Sequence, residues 1–179
     1  MSTFTTYDLA VPVLTRGLLT FDHILHKAEA HAKANGIDAD AVYPTARLII
    51  DQHPLIFQVQ NATKTVRNYV ITLTGEDIPA FEDDEKTIAD LHTRIQQALA
   101  LLKKVTPEVA NKRAETESST FNPSGSQPVT LKAKDAVVFQ GVPNFIFHLT
   151  TGYSILRAQG IPVGKADFIA NFIGVPGYE

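Results

Sequence analysis

Few side chains in this chain of 179 residues combine chemistry with a position that could use it, and the six histidines come first. His148 stands in the stretch VPNFIFHLTTGYSILRAQG, residues 142–160. At about 100° per residue, Phe145, His148, Leu149, Gly152, Ile155 and Leu156 share one helical face. That face is apolar except for the imidazole, and Gly152 sits one turn on with no side chain, which reads as a gap. A histidine inside a buried stripe either satisfies a core hydrogen bond or lines a pocket. An imidazole titrates near neutrality, so an acid–base or hydrogen-bonding role is open to it. Gln58, Tyr153, His53 and His92 are the polar residues expected to keep it company across the fold. Tyr153 would contribute a hydroxyl at the pocket's edge, and Gln58 would orient the ring or the ligand. His23, His26 and His31 share one helix, but their spacing does not converge on a point, so they are expected to face solvent. His53 precedes a proline at a helix start and is expected to be exposed and neutral, since a helix N-terminus disfavours imidazolium. No metal site follows from these spacings.

Other chemistries leave no signature. There is no G-x-S-x-G elbow for a serine nucleophile. H-E-x-x-H, EF-hand, P-loop and dinucleotide-binding patterns are likewise missing. With no cysteine, disulfides, thiolate metal sites and a cysteine nucleophile are excluded.

The elements that must hold these residues are helical. Helix 1 is expected over residues 7–34, ended by Asn35-Gly36, with Leu14, Leu18, Phe21, Leu25 and Ala28 inward and Pro12 near its first turn. A connection over 37–53 contains ARLIID (46–51), apolar enough for a short packed segment. Helix 2 spans about 54–73, with Leu55, Val59, Ala62, Val66, Tyr69 and Leu73 inward and Gln58 at the edge of that stripe. The acidic run GEDIPAFEDDEK (75–86) reads as a solvated loop. Thr87 to Asp90 forms a capping box for helix 3, which runs to about Lys104, and Pro107 breaks the pattern. His92 flanks its stripe. Residues 118–121 and 129–132 alternate as a small β-hairpin around the turn residues Asn122, Pro123, Ser124 and Gly125. A short helical turn over 135–141 leads into helix 4, with Pro143 in its first turn and Gly160 just beyond its end. The apolar tail from Phe168 to Ile173 must pack on its own domain or on a partner. Together these give one all-α domain over residues 1–179, a four-helix bundle with long 1–2 and 3–4 connections and a small hairpin.

Composition agrees with a soluble globular domain: 44% hydrophobic, 20% charged, 16 basic against 19 acidic residues and a net charge of −3. The lack of a basic block argues against nucleic acid as partner. No window is apolar enough to span a bilayer, and no basic region precedes an apolar core at the N-terminus, so a cytoplasmic protein without membrane attachment is expected.

The segment PNFIFHLTTGYSILRAQGIPVGKADF (143–168), with LIFQVQNATKTV (55–66) and TIADLHTRIQQALALL (87–102), resembles a bacterial and fungal domain-of-unknown-function family. That family is grouped with the DinB-like (YfiT-like metalloenzyme) four-helix bundles. The resemblance implies the same all-α class, and often a homodimer. In metal-binding relatives a histidine of the second helix joins an H-x-x-x-H pair on the fourth to hold zinc or nickel, some serving as thiol-dependent S-transferases. Here the fourth-helix pair reads His148 and Gly152, and glycine supplies no ligand. What carries over is position: His148 should point into the cavity, with room at Gly152 for a small molecule.

The expectation that follows is a metal-independent pocket around His148 that binds a small molecule, as an enzyme or a binder. One alternative is a homodimeric scaffold with a structural His148 and the 168–173 tail as docking surface. Another is a divergent metal-dependent transferase, which requires His53 or His92 to converge on His148.

Overall fold

The computed structural model describes residues 4–120 and 127–178. Four long helices dominate it: α1 (Thr6–Asn35), α3 (Leu55–Thr74), α4 (Ile88–Leu102) and α7 (Val142–Ala158). Shorter pieces lie between and after them: α2 (Ala39–Val42), α5 (Pro107–Arg113), the hairpin β1 (Glu117–Thr120) and β2 (Val129–Lys132), α6 (Ala133–Asp135) and α8 (Lys165–Ile169). A wider π-helical turn, Ala136–Gly141, joins α6 to α7 without a break. The hairpin is antiparallel, with Glu117 opposite Lys132 and Thr120 opposite Val129. It starts one residue earlier than the alternation predicts. Phe121 and the turn residues Asn122, Pro123, Ser124 and Gly125 lie outside the described residues. No helix among the described residues is long and apolar enough to cross a membrane.

Local chemistry accounts for the helix ends. Thr5 caps α1 in a reciprocal box with Asp8, and Thr87 does the same for α4 with Asp90. Gly36 and Gly75 close α1 and α3 in the left-handed region that non-glycine residues rarely enter. Because α1 begins at Thr6, Pro12 falls in its second turn rather than its first. Pro107 does not simply end a helix: it opens α5, capped by Thr106, because a proline suits a first helical position.

Helix order follows from which residues meet. Along α3 and α7, Gln58 meets His148, Thr65 meets Asn144 and Tyr69 meets Gln140, so the two run antiparallel. Between α1 and α7, Gly17 receives the ring of Phe145 and Gly152 receives that of Phe21, so these two run parallel. Helix α4 packs against α1 and α3, and α7 packs against the same two from the other side. The bundle is therefore up-down-down-up, with α4 and α7 across the diagonal. The inward stripes of α1, α3, α4 and α7 are all buried, as their periodicity predicts.

The connections and the tail differ in how they pack. Residues 75–87 form the mostly exposed loop that their acidity predicts, and they return the chain to the start of α4 with Ile78 turned inward. They run back along α3, Arg67 bonding the Ile78 and Pro79 carbonyls, Lys64 bonding Asp83 and Gln60 bonding Glu85. The ARLIID segment is not packed: Ile50 is 93% exposed, and Tyr43 and Pro44 fill the buried position of that connection instead. The tail folds onto its own domain, with Phe168 stacked on Phe172 and both packed against the core, while Ile173 stays exposed.

Candidate functional site

His148 is buried (8% exposed) at the seam between α3 and α7. Its Nδ1 lies 2.8 Å from Gln58 Oε1. Gln58 is itself 2% exposed, and its amide nitrogen donates to the His53 carbonyl at 3.0 Å. That second bond turns the amide oxygen toward His148, so His148 carries its proton on Nδ1 and leaves Nε2 bare. Burial, and then the neighbouring His53, push the His148 pKa down to about 4. At neutral pH the ring is an uncharged hydrogen-bond acceptor.

His148 lies on the wall of a cavity of about 760 Å³ bounded by α3, α7, β1 and the π-helical turn. The rest of the wall carries amides, hydroxyls, the cations Lys64 and Arg113, the carboxylate of Glu117 and the apolar Phe57 and Ile71. Asn144 donates to Thr65 at 2.7 Å, and Asn61 to the Phe57 carbonyl at 3.0 Å. Tyr69 and Thr120 both donate to Gln140 Oε1. Burial raises the Tyr69 pKa, so the phenol stays protonated. Gly141 lets the Tyr69 ring lie directly on the backbone where the π-helical turn meets α7. Lys64 is held by Asp83 at 2.8 Å, and Arg113 closes the far end, its Nε 3.2 Å from the Thr72 carbonyl. A side chain on Gly75 would meet Arg113 Nη1 at 2.7 Å, in addition to the strain of φ +77°.

The structure brings together only part of the predicted set. His148 and Gln58 pair, and His53 stands beside them, exposed and stacked on Phe57 at 3.7 Å between ring centres. Gly152 offers no vacancy: a Cβ there would lie 2.5 Å from the buried Phe21 ring, which fills the notch. Tyr153 does not close the pocket. It packs edge-on against Phe168 and reaches the Val163 carbonyl at 3.5 Å, because it points to the tail side of α7. His92 is on the α1–α4 seam, bonded to Asp22 and Glu29, and so faces away from His148 across the bundle. His23 is not solvated either: Asp167 of α8 lies 3.1 Å from its Nε2.

Two further polar clusters, one around the buried Arg94 and one partly exposed, lie away from the His148 cavity. Arg94, 1% exposed, gives Nε to Thr63 and its two Nη atoms to Glu85 and Asp83 at 2.6 Å each, with Phe81 beneath the guanidinium. The other joins Asp22, His26, Glu29 and His92. The inward phase of Arg94, between Leu91 and Ile95, was the one available signal.

A three-histidine metal set does not fit around His148. Position 152 has no side chain and is covered by Phe21, and the α3 residue facing His148 is an amide that occupies Nδ1. Comparison with known proteins gives the family without an activity. No curated protein matches the chain. The structure is similar to that of a DinB family member protein from Shewanella denitrificans, with a TM-score of 0.79 and 36% identity, covering 91% of this chain and 90% of that one. Residues 6–169 match the model of DUF1993, a domain of unknown function. The chain belongs to the DUF1993 family, with a DinB-like four-helix fold.

Proposed function

We propose that the α3–α7 cavity binds a small polar organic molecule without a metal, with His148 Nε2 accepting a hydrogen bond from it. The observation that supports this most is the Nδ1–Gln58 bond, which fixes the tautomer of an uncharged imidazole on the wall of a 760 Å³ cavity. The volume falls within the range of small-molecule sites. A pKa near 4 makes His148 a weak base at neutral pH, since an efficient general base titrates near the working pH. Binding is therefore favoured over proton abstraction. The ligand class is one that donates to His148 and accepts from Asn61, Asn144 or Arg113.

The test is a fragment screen by ligand-observed NMR against the wild-type protein and His148→Ala. Loss of one neutral hydrogen bond costs about 1 kcal/mol, or roughly fivefold to tenfold in affinity. Affinity should hold from neutral pH down to about pH 5 and fall near pH 4, where His148 takes up its second proton. A ligand of this cavity that bound the folded alanine variant with unchanged affinity would rule the role of His148 out.

A further inference from the structure

We propose that Asp22, His26 and His92, on the seam between α1 and α4, form a binding site for a divalent transition metal of the zinc, nickel or cobalt class. The site is separate from the His148 cavity and on the other side of the bundle. One ligand atom from each of the three residues lies within 4.8 Å of the others. Asp22 Oδ1 is 2.5 Å from His92 Nδ1, and Asp22 Oδ2 is 3.8 Å from His26 Nε2. Ligands of a tetrahedral zinc ion, at 2.0–2.1 Å from the metal, stand about 3.3 Å apart. The two observed separations lie on either side of that value, and the exposed His26 ring would turn out of its stack on His92 to aim its in-plane lone pair at the ion.

The helices supply the spacing. Asp22 and His26 are i and i+4 on α1, which puts them one above the other on a single face. His92 comes across from α4 and stacks on His26 with ring centres 4.0 Å apart. The residues around the triad are those a metal site requires of its surroundings. Glu29 Oε2 lies 3.2 Å from His26 Nδ1 and 3.2 Å from His92 Nε2, the nitrogens that face away from Asp22. One carboxylate thus takes the far N–H of both rings, which directs the near nitrogens of both toward the ion. Gln96 donates to Asp22 Oδ2 at 3.1 Å and fixes that carboxylate in turn.

The donor set chooses the ion. Two imidazoles and one carboxylate suit zinc, nickel or cobalt, whereas magnesium and calcium take oxygen. Asp22 and His92 are largely buried, their side chains 11% and 15% exposed, while His26 is 60% exposed, so the site has a rigid floor and a solvent entrance. Three protein ligands leave one position for water. Binding displaces any proton on His92 Nδ1 to solvent, and the carboxylates offset the charge of the ion.

The experiment uses the full-length, untagged chain, stripped with chelator and titrated with Co2+ and then Zn2+. Cobalt is followed by its visible d–d absorption, zinc by calorimetry and elemental analysis. One equivalent per chain, with a Kd in the micromolar range or below, is expected. His26→Gln and His92→Gln should abolish the visible band, Glu29→Gln should weaken binding about 10–100-fold, and His148→Gln should leave it unchanged. His26 is mostly exposed, so its variant stays folded even where the His92 variant does not. Absence of stoichiometric binding, binding that survives His26→Gln, or a band lost in folded His148→Gln would each overturn the proposal.

Discussion

Gly152→Ala tests directly whether α7 carries a vacancy or a filled notch beside His148. The added Cβ would stand 2.5 Å from Phe21 Cζ and 2.7 Å from Cε2. Phe21 is fully buried, so its ring cannot swing into solvent. Overpacking of this kind costs about 1–3 kcal/mol. Against that, alanine is better than glycine inside a helix by about 1 kcal/mol. The net is a loss of up to about 2 kcal/mol, which for a chain of this size lowers Tm by roughly 2–4 °C per kcal/mol. Urea and thermal unfolding of Gly152→Ala, Phe21→Leu and the double variant would measure it. Because the two sites touch, the double variant should be more stable than the sum of the single losses, by a coupling of about 0.5–3 kcal/mol. A Gly152→Ala protein about 1 kcal/mol more stable than wild type would refute the reasoning. Helix propensity would then act unopposed, and the space beside residue 152 would be open. The same contact means that Gly152→His alone cannot restore an H-x-x-x-H pair, since Phe21 occupies the place of the second ring.

Arg94→Met should cost about 3–5 kcal/mol in chemical denaturation, because it leaves Asp83 and Glu85 facing a buried position without their cation. A loss below about 1 kcal/mol would reduce the clamp to an ordinary surface pair. The buried His148 and the half-buried His92 should show opposite pH dependence. His148 has a folded pKa of about 4 against 6.5 when unfolded, so the unfolded chain protonates first and stability declines as pH falls between these values. For His92, burial alone would lower the pKa, but Asp22 and Glu29 outweigh it and the net shift is upward. Its contribution is complete below 6.5 and disappears as pH rises through the raised folded pKa. Unfolding across a pH series should show a flatter acid limb in His148→Asn and the greatest loss at low pH in His92→Gln. Parallel profiles for the two variants would contradict these assignments.

Periodicity made the fold legible because every long helix buries one continuous apolar stripe. The pairing of His148 with Gln58 was legible for the same reason: both residues interrupt such stripes, and only a polar partner satisfies each. A pocket at His148 was expected, but its wall was not, since much of it comes from Asn, Thr and Gln residues of α3, the hairpin, the π-helical turn and α7 that read as ordinary polar positions. Gly152 read as a gap because a sequence shows a missing side chain but not the ring that arrives from another helix. Residues 75–87 read as a solvated loop, and most of them are exposed. What acidity alone did not show is that Asp83 and Glu85 clamp the buried Arg94, a contact that exists only once α4 is folded against α3. Asp22, His26 and Glu29 were equally hidden, because their meaning depends on His92 crossing from α4.

The contrast between His148 and His92 then becomes an argument about what each seam can hold. Both rings are largely withdrawn from water, so depth does not separate them. Partner charge does. His148 meets a neutral amide and lies near a second imidazole, so desolvation decides and the ring stays uncharged. His92 meets two carboxylates, so Coulombic attraction decides and a positive charge at that place is stabilised. A cation brought to the α3–α7 seam would find Lys64 and Arg113 as well as Glu117 on the cavity wall, and a neutral amide rather than a carboxylate on His148. A neutral ligand brought to the α1–α4 seam would have to displace two ion pairs before making a bond. On the two proposals above, the same bundle divides its histidine chemistry by seam, the α3–α7 side toward a polar organic ligand and the α1–α4 side toward a positive ion.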